Sequence, residues 1–380
     1  MLIHSCIMWD FSADVPTMAC GIQSRYPIKE PHIHEQGDHM LSFENDYSEG
    51  AHPAILNRIA QANMDQYPGY GSDGICEMAK AKIRKACADE DAQIFFLVGG
   101  TQTNQVVIDS LLTEVEGVVA VETGHVNVHE AGAIEATGHK VLTLPAHDGK
   151  MSADELDAHC ATFMADGNRD HMVWPGMVYI SHPTEYGTLY SKAELTALHE
   201  ICRKYDIPLF VDGARLGYGL TARGTDVTLP DLARLADAFY IGGTKVGALM
   251  GEAVVFTHGN MPRHFLTIVK RHGALLAKGF LLGLQFDTLF TDGLYTAIAR
   301  NANAQADRIR EVLVAKGYDM PLVNATNQIF VTLTDERYEE LSARVRLSFW
   351  EKPDAGHATV RIATSWATTD EHVSEFIGLL

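Results

Sequence analysis

Cationic side chains are scarce in this chain: 380 residues hold 30 Lys and Arg against 49 Asp and Glu, a formal charge of −19. A polyanionic partner needs Lys and Arg gathered on one surface to displace its counterions. The balance therefore argues against a nucleic-acid-binding protein or one that docks on an anionic membrane. Long apolar runs are missing as well, none reaching the ~18 residues that span a bilayer. Cysteine is sparse and unpaired in spacing. Cys6, Cys20, Cys76, Cys87, Cys160 and Cys202 form no CxxC, which speaks against a disulfide scaffold or a zinc module. A reduced, cytoplasmic protein is expected, its thiols serving as small buried hydrophobes and no metal being bound. Residues 1–39 have no basic segment followed by an apolar one. With Asp10, Asp14, Glu30 and Glu35 in them, they read as an N-terminal extension rather than a signal or transit peptide.

What is present is a globular composition, 46% hydrophobic and 21% charged, with room for a packed core. From about residue 94 short β-branched or aromatic runs alternate with helical patterns, the signature of a mostly parallel sheet covered on both faces. Seven strands are predicted: Ile94 to Val98, Val118 to Glu122, Lys140 to Leu144, Met177 to Ser181, Pro208 to Asp212, Ala238 to Gly242 and Ala253 to Thr257. Ser191-Lys-Ala-Glu194 reads as a capping box opening a helix that Asp206-Ile-Pro208 ends. After about 265 the alternation gives way to a long helical stretch, Arg263 to Arg310, and then to strands at Gln328 to Leu333 and Thr359 to Thr364. The expected organisation is an extension over 1–39, a large α/β domain over 40–262 and a smaller C-terminal α+β domain over 263–380.

Open parallel sheets bind ligands beyond the carboxyl ends of their strands. Four of these ends hold residues a core would not select. The first runs into Gly99-Gly100-Thr101-Gln102-Thr103-Asn104, where free N–H groups at a helix start make either an anion cradle or an ordinary turn with a Thr cap. No GK[ST] follows it, so it is not a Walker loop. The second ends at Thr123-Gly124-His125, an imidazole that is either functional or simply hydrogen-bonded in place. The third is the apolar run Pro208-Leu-Phe-Val ending in Asp212-Gly213-Ala214-Arg215. A carboxylate buried there needs a cationic partner, which is either Arg215 or a protonated ring nitrogen. The fourth brings Lys245, inside Gly242-Gly243-Thr244-Lys245-Val246-Gly247, to the end of a strongly apolar strand. Desolvation there lowers an amine's pKa and frees it for Schiff-base chemistry; the alternative is a lysine that snorkels from a loop. In combination, a phosphate cradle, an imidazole, an Asp and a later Lys are the parts that pyridoxal phosphate requires.

These residues resemble the L-threonine aldolase and β-eliminating lyase family of fold-type I pyridoxal-phosphate enzymes. The landmarks run from Asn45-Asp46-Tyr47 and Tyr70-Gly71-Ser72-Asp73, through the glycine turn, Glu122-Thr-Gly-His125, Asp212-Gly-Ala-Arg215 and Gly242-Gly-Thr-Lys245, to Arg361-Ile-Ala-Thr-Ser-Trp366. The resemblance implies the fold-type I architecture, with pyridoxal 5′-phosphate bonded to Lys245 and its pyridine nitrogen facing Asp212. It puts His125 against the ring, Gly100 and Thr101 on the phosphate, and Arg215 near the ring hydroxyl and the substrate carboxylate. Arg361 would clamp that carboxylate, and Arg271 matches a basic position that can reach a neighbouring subunit's phosphate. It further implies a homodimer or homotetramer and a small amino-acid substrate.

Three positions depart from the family pattern. Asn45 stands where many members have a serine that helps hold the substrate carboxylate. Pro183-Thr184-Glu185 stands where some aldolases have a histidine acting on the substrate hydroxyl. Phe210 replaces a histidine two residues before the aspartate, so a hydrogen bond to that aspartate is either missing or supplied elsewhere. The expected reaction is retro-aldol cleavage of L-threonine or L-allo-threonine to glycine and acetaldehyde, with Glu185 or His125 as base and Lys245 and Asp212 as the groups acting on the cofactor. The alternatives are β-elimination, another β-hydroxy amino acid such as phenylserine, or a catalytically silent relative that only binds. A nicotinamide dehydrogenase is disfavoured because no GxGxxG follows the first predicted strand. Within this acidic chain, the cleft holding Lys245, Arg215 and Arg361 is expected to be positive.

Overall fold

The computed structural model describes residues 40–380; the proposed N-terminal extension lies outside the described residues. Twelve strands are present among them: β1 (Leu41–Ser42), β2 (Gln93–Leu97), β3 (Glu116–Val121), β4 (Val141–Leu144), β5 (Trp174–Ser181), β6 (Leu209–Asp212), β7 (Ala238–Gly242), β8 (Glu252–Phe256), β9 (Gln328–Thr334), β10 (Val345–Arg346), β11 (Ser348–Asp354) and β12 (His357–Ala363). The helices among them are α1 (Pro53–Ala62), α2 (Gly74–Cys87), α3 (Gly100–Leu111), α4 (His125–Val128), α5 (Ala153–Ala165), α6 (Lys192–Tyr205), α7 (Leu216–Thr221), α8 (Leu229–Leu235), α9 (Phe265–Arg271), α10 (Phe280–Leu289), α11 (Leu294–Ala315), α12 (Asp335–Ser342) and α13 (Asp370–Leu379). The structure is thus α/β, as expected.

All seven strands predicted for the large sheet lie in it, in the order β2-β8-β7-β6-β5-β3-β4. The sheet is parallel except for β8, which runs antiparallel to both neighbours. Successive side chains of a strand point to opposite faces, and here both faces are buried, which is why the strands read as near-continuous apolar runs. Val178, Ile180, Leu209, Val211, Phe239 and Ile241 pack on one side with α2, α5, α6, α8 and α10. Met177, Tyr179, Phe210, Ala238 and Tyr240 pack on the other with α3 and α9. The capping box holds: Ser191 and Glu194 exchange side-chain-to-backbone bonds at the start of α6, and Asp206 ends it in the left-handed conformation.

A second, antiparallel sheet, β11-β12-β9, and the short parallel pair β1-β10 form the C-terminal layer. Its core joins Phe43, Ile309, Leu313, Val331, Val360 and Phe376. The stretch Arg263 to Arg310 is three helices rather than one, interrupted at Gly273 and Gly293, both at positive φ. Packing does not change at residue 263. Phe265 and Val269 lie against the large sheet, as do Leu282, Phe286, Ile298 and Ala302, and the C-terminal cluster starts at Ala306 within α11. Strand β11 was not predicted because Glu351, Lys352 and Pro353 interrupt its apolar pattern. They are tolerated because β11 is an edge strand that needs few ladder donors and faces solvent along much of its length.

The ends of β6 and β7 touch backbone to backbone. Gly242 N donates to Gly213 O at 3.0 Å. A Cβ on Gly213 would lie 1.9 Å from Tyr240 O, and one on Gly242 would lie 2.3 Å from Ala214 O. Both glycines are therefore required by close approach, and they fix the separation between Asp212 and Lys245. Gly213→Ala is expected to destabilise the fold by at least about 1–3 kcal/mol through overpacking. Gly167→Ala, with nothing within 4 Å of the added carbon, leaves the unfolding midpoint unchanged in the same thermal-melt comparison.

Candidate active site

The strand ends converge on two adjoining cavities. One is lined by Gly100, Asn104, His125, Asp212, Arg215 and Lys245, among others. The second, of about 570 Å³, shares His125, Glu185, Arg215 and Lys245 with it and extends to Tyr47, His129, Tyr186, Trp350 and Arg361. Lys245 hangs from the turn after β7, in which Gly243 N and Thr244 N both donate to Gly251 O (2.9 and 3.1 Å). His125 opens α4, Glu185 sits in the loop after β5, and Arg361 arrives from β12. Seven of the expected residues thus meet from six different segments.

Asp212 is buried without a cation. Arg215 does not pair with it, contrary to one of the two alternatives read from the sequence. Tyr179 and Tyr240 donate their hydroxyls, at 2.6 and 2.5 Å, Asn104 Nδ2 donates at 2.9 Å, and Ala214 N–H donates at 2.9 Å. Burial alone would raise its pKa; the His125 charge and these donors outweigh burial and lower it, so the group stays ionised. The two tyrosines also answer the Phe210 question. Tyr179 and Tyr240 lie on the strands either side of it, with ring centroids 5.9 and 6.3 Å away, and give Asp212 side-chain hydrogen bonds that Phe210 has no group to make.

Arg215 is committed to Asp46 instead, through a two-pronged contact, Nε to Oδ2 at 2.7 Å and Nη2 to Oδ1 at 2.9 Å. Asn327 Nδ2 adds a third donor to Asp46 at 2.9 Å. Burial opposes ionisation of Asp46, but the Arg215 and Lys245 charges and these bonds bring its pKa down to about 2. Lys245 moves the other way. Burial first, and the Arg215 guanidinium second, pull its amine down to about 8. Such an amine is partly free base near neutrality and therefore nucleophilic.

His125 Nδ1 is 2.8 Å from Glu130 Oε1, and Asn104 Nδ2 also donates to that oxygen at 2.7 Å. One buried amide thereby bridges the carboxylates of Asp212 and Glu130. Burial disfavours the imidazolium, yet the Glu130 bond and the Asp212 charge outweigh it and raise the His125 pKa. Glu185 Oε1 accepts from Ser181 Oγ at 2.6 Å and from His125 N at 3.1 Å. Burial, with Asp212 adding to it, lifts the Glu185 pKa above the usual carboxylate range.

Thr101 is exposed at the start of α3 beside Gly100, and no side chain caps that start; the helix is preceded by Gly99. Asn45 does not line either cavity. Its Oδ1 accepts from Tyr47 N and Ser48 Oγ, closing a local turn that sets Tyr47 at the cavity rim. Arg271 is exposed on α9 and paired with Asp109, away from both cavities. The cleft is mixed in sign rather than positive. Arg215, Lys245 and Arg361 share it with Glu122, Glu185 and Asp212, because cations placed this deep need acidic neighbours to offset desolvation. Asp46, Asn104, Glu130, Tyr179, Tyr240, Tyr186 and Trp350 were not singled out from sequence. Asp46 adjoins Asn45 and Glu130 follows His125 by five residues, so polar spacing within the motifs was an available signal for these two; the tyrosines are camouflaged as ordinary β-formers.

The residues present suit pyridoxal phosphate. The uncapped N–H groups at the start of α3 suit a phosphate. A buried, ionised carboxylate without a cation suits a protonated ring nitrogen, and a desolvated amine lines the same cavity. Buried polar atoms lacking a partner lie here too: Asn104 Oδ1, Thr123 Oγ1, Glu130 Oε2 and Arg361 Nε. Fold and site together define a fold-type I pyridoxal-phosphate enzyme. Solved structures agree: Thermus thermophilus aspartate aminotransferase superposes with a TM-score of 0.66 at 15% identity, over 90% of each chain, a likeness of fold alone. A threonine aldolase from Leishmania major superposes with a TM-score of 0.86 at 39% identity, over 89% of this chain and 98% of that one. The Low specificity L-threonine aldolase of Pseudomonas aeruginosa is 27% identical, over 89% of this chain and 96% of that protein. Residues 45–336 match the beta-eliminating lyase family, and the chain belongs to that family.

Asp46→Asn is expected to leave Arg215 buried and unpaired and to cost about 3–5 kcal/mol in denaturant unfolding. The Asp46 carboxyl titrates lower in the folded chain than in the unfolded one. Its contribution, about 2 kcal/mol, is present above pH ~4 and is lost as pH falls toward 2, a loss that Asp46→Asn abolishes.

Proposed function

We propose that this protein cleaves the Cα–Cβ bond of an L-β-hydroxy-α-amino acid, L-threonine or L-allo-threonine, to glycine and acetaldehyde. The observation that carries this reading is the placement of Lys245 and Asp212 in one cavity with Glu185 and two guanidinium groups at its mouth. The likeness to the two threonine aldolases along most of the chain supports it. Lys245 would hold pyridoxal phosphate covalently, Asp212 its ring nitrogen, Gly100 and Thr101 its phosphate, and His125 one face of the ring. When bound, the cofactor supplies an electron sink for the pair released at Cα.

The chain's own residues do the rest. Arg361, with Arg215 behind it, fixes the substrate carboxylate and thereby orients the Cα–Cβ bond; a guanidinium fork suits that task better than an ammonium. Asn45 is assigned to the same carboxylate, acting through its free amide nitrogen. Glu185, held by Ser181 and the His125 N–H, takes the hydroxyl proton as the Cβ–O bond becomes a carbonyl, with His125 as the second base within reach. Acetaldehyde would then leave and Cα would gain a proton, and Lys245 is the residue that would hold the cofactor again once glycine has gone. Which bond breaks is a matter of orientation, since the cofactor alone permits several outcomes.

Arg271, exposed on α9, is assigned to a neighbouring subunit's phosphate in a homodimer or homotetramer. The described cysteines, buried and unpaired, support the assignment to the cytoplasm, and among the described residues no helix is long and apolar enough to cross a membrane. We take the chain to divide into a cofactor domain over 40–262 and a smaller C-terminal domain over 263–380, whose first helices pack on the large sheet.

Incubation with L-threonine, L-allo-threonine and phenylserine is expected to give glycine and an aldehyde; ammonia with 2-oxobutyrate from either threonine, or with phenylpyruvate from phenylserine, would identify a β-eliminating enzyme instead. Lys245→Ala is expected to lose both turnover and the cofactor's visible absorption. For the wild-type apoprotein, the rate of cofactor capture followed by that absorption should rise with pH with a midpoint of about 8.

A further inference from the structure

Strand β11 pairs with β12 in an irregular register. Ser348 lies opposite Arg361 and Phe349 opposite Val360, but the next pair is Glu351 with Thr359. Two steps along β11 against one along β12 make Trp350 the inserted residue of a β-bulge, a device that re-aims a side chain beside a site. The bulge puts the indole under Arg361, whose guanidinium carbon lies 5.7 Å from the ring centroid. Phe330, opposite Arg361 on β9, meets the indole edge-on at 4.9 Å, and Tyr186 does so at 5.6 Å. Three rings from three segments therefore immobilise one another below the guanidinium.

The polar contacts of Arg361 are weak by comparison. Nη1 donates to Gln328 Oε1 at 3.3 Å and Nη2 to Glu44 O at 3.2 Å, while Nε is buried with no partner. Among the described residues, no Asp or Glu forms an ion pair with it. A guanidinium whose face rests on an aromatic ring keeps its edge free for a planar, two-pronged anion.

We propose that Trp350 is a positioning residue: through the bulge it lays its indole against Arg361 and orients that guanidinium to receive the substrate carboxylate. This rests on the assignment of the carboxylate to Arg361. It explains why Trp350, which makes no side-chain hydrogen bond to Arg361, occupies an irregular position on an edge strand that lines the larger cavity. It also separates Trp350 from Lys245, Asp212 and Glu185, which are placed around the reacting atoms.

The test compares wild type, Trp350→Ala, Trp350→Phe and Trp350→Leu, each loaded with pyridoxal phosphate. Steady-state cleavage of L-threonine and calorimetric binding of glycine and of glycinamide, which lacks the carboxylate, are measured. Trp350→Ala and Trp350→Leu should raise KM and the glycine Kd by about five- to tenfold with kcat within about twofold, and Trp350→Phe should recover most of the loss. Glycinamide should bind all four proteins equally. Unchanged glycine affinity in the Leu variant, or an equal loss for glycine and glycinamide, overturns the proposal. If the Ala variant fails to load, the Phe and Leu variants decide the question, because they differ mainly in the presence of a ring face. A wild-type protein that binds glycine yet cleaves no β-hydroxy amino acid would defeat the aldolase reading, while the glycine affinities would still decide the role of Trp350.

Discussion

The contact on which the site depends is the one between the ends of β6 and β7, where two glycines let main chain lie against main chain. Neither Asp212 nor Lys245 is held in place by the other. Each is a side chain on a strand end whose separation is set by peptide groups, the least deformable parts of the molecule. The donors around Asp212 refine this frame. Four neutral groups converge on a carboxylate from β5, α3, β7 and its own turn, and together with the nearby His125 charge they keep it ionised without a cation bound to it. That leaves its charge free to act on something else in the cavity.

Arg215 shows the complementary choice. Its charge is paired with Asp46 from the segment before α1, which fixes the guanidinium in place while it still acts on the Lys245 amine. The same segment continues into β1 and pairs with β10 of the C-terminal layer. An ion pair at the cavity floor and a short parallel ladder at the surface thus fasten one stretch of chain at two points. In a protein with this excess of acid, the site is not a positive patch. It is an alternation of opposite charges, some paired within the chain, as Arg215 is with Asp46, and others, such as Arg361, without an acidic partner among the described residues.

Much of the sheet was legible in the sequence because a parallel sheet buried on both faces has to be spelled in apolar runs. Lys245 and Asp212 stood out because they terminate such runs, and His125 because it lies just past the end of one. Residues whose role depends on neighbours from distant segments were not legible. Tyr179 and Tyr240 are hidden by their own β propensity, and Asp46 acts on a residue 169 positions away. Trp350 was invisible for a different reason. Its importance comes from a register slip, and a slip has no signature in a single strand's composition. The division of the long helical stretch into three was written in Gly273 and Gly293, but isolated glycines do not by themselves say whether a helix bends or stops.

Helix α11 gives the architecture a mechanical property. Its first half, through Ile298 and Ala302, is seated against the large sheet, and its second half, from Ala306 through Leu313, is seated in the C-terminal core. A 22-residue helix is a stiff rod about 33 Å long, and this one is shared by both layers. The sheet bearing Arg361 cannot approach or leave the turn bearing Lys245 as a freely hinged lid would. Any such movement has to be absorbed as curvature distributed along α11, which confines the two to small, elastic excursions and makes the width of the cleft a property of one helix's rigidity.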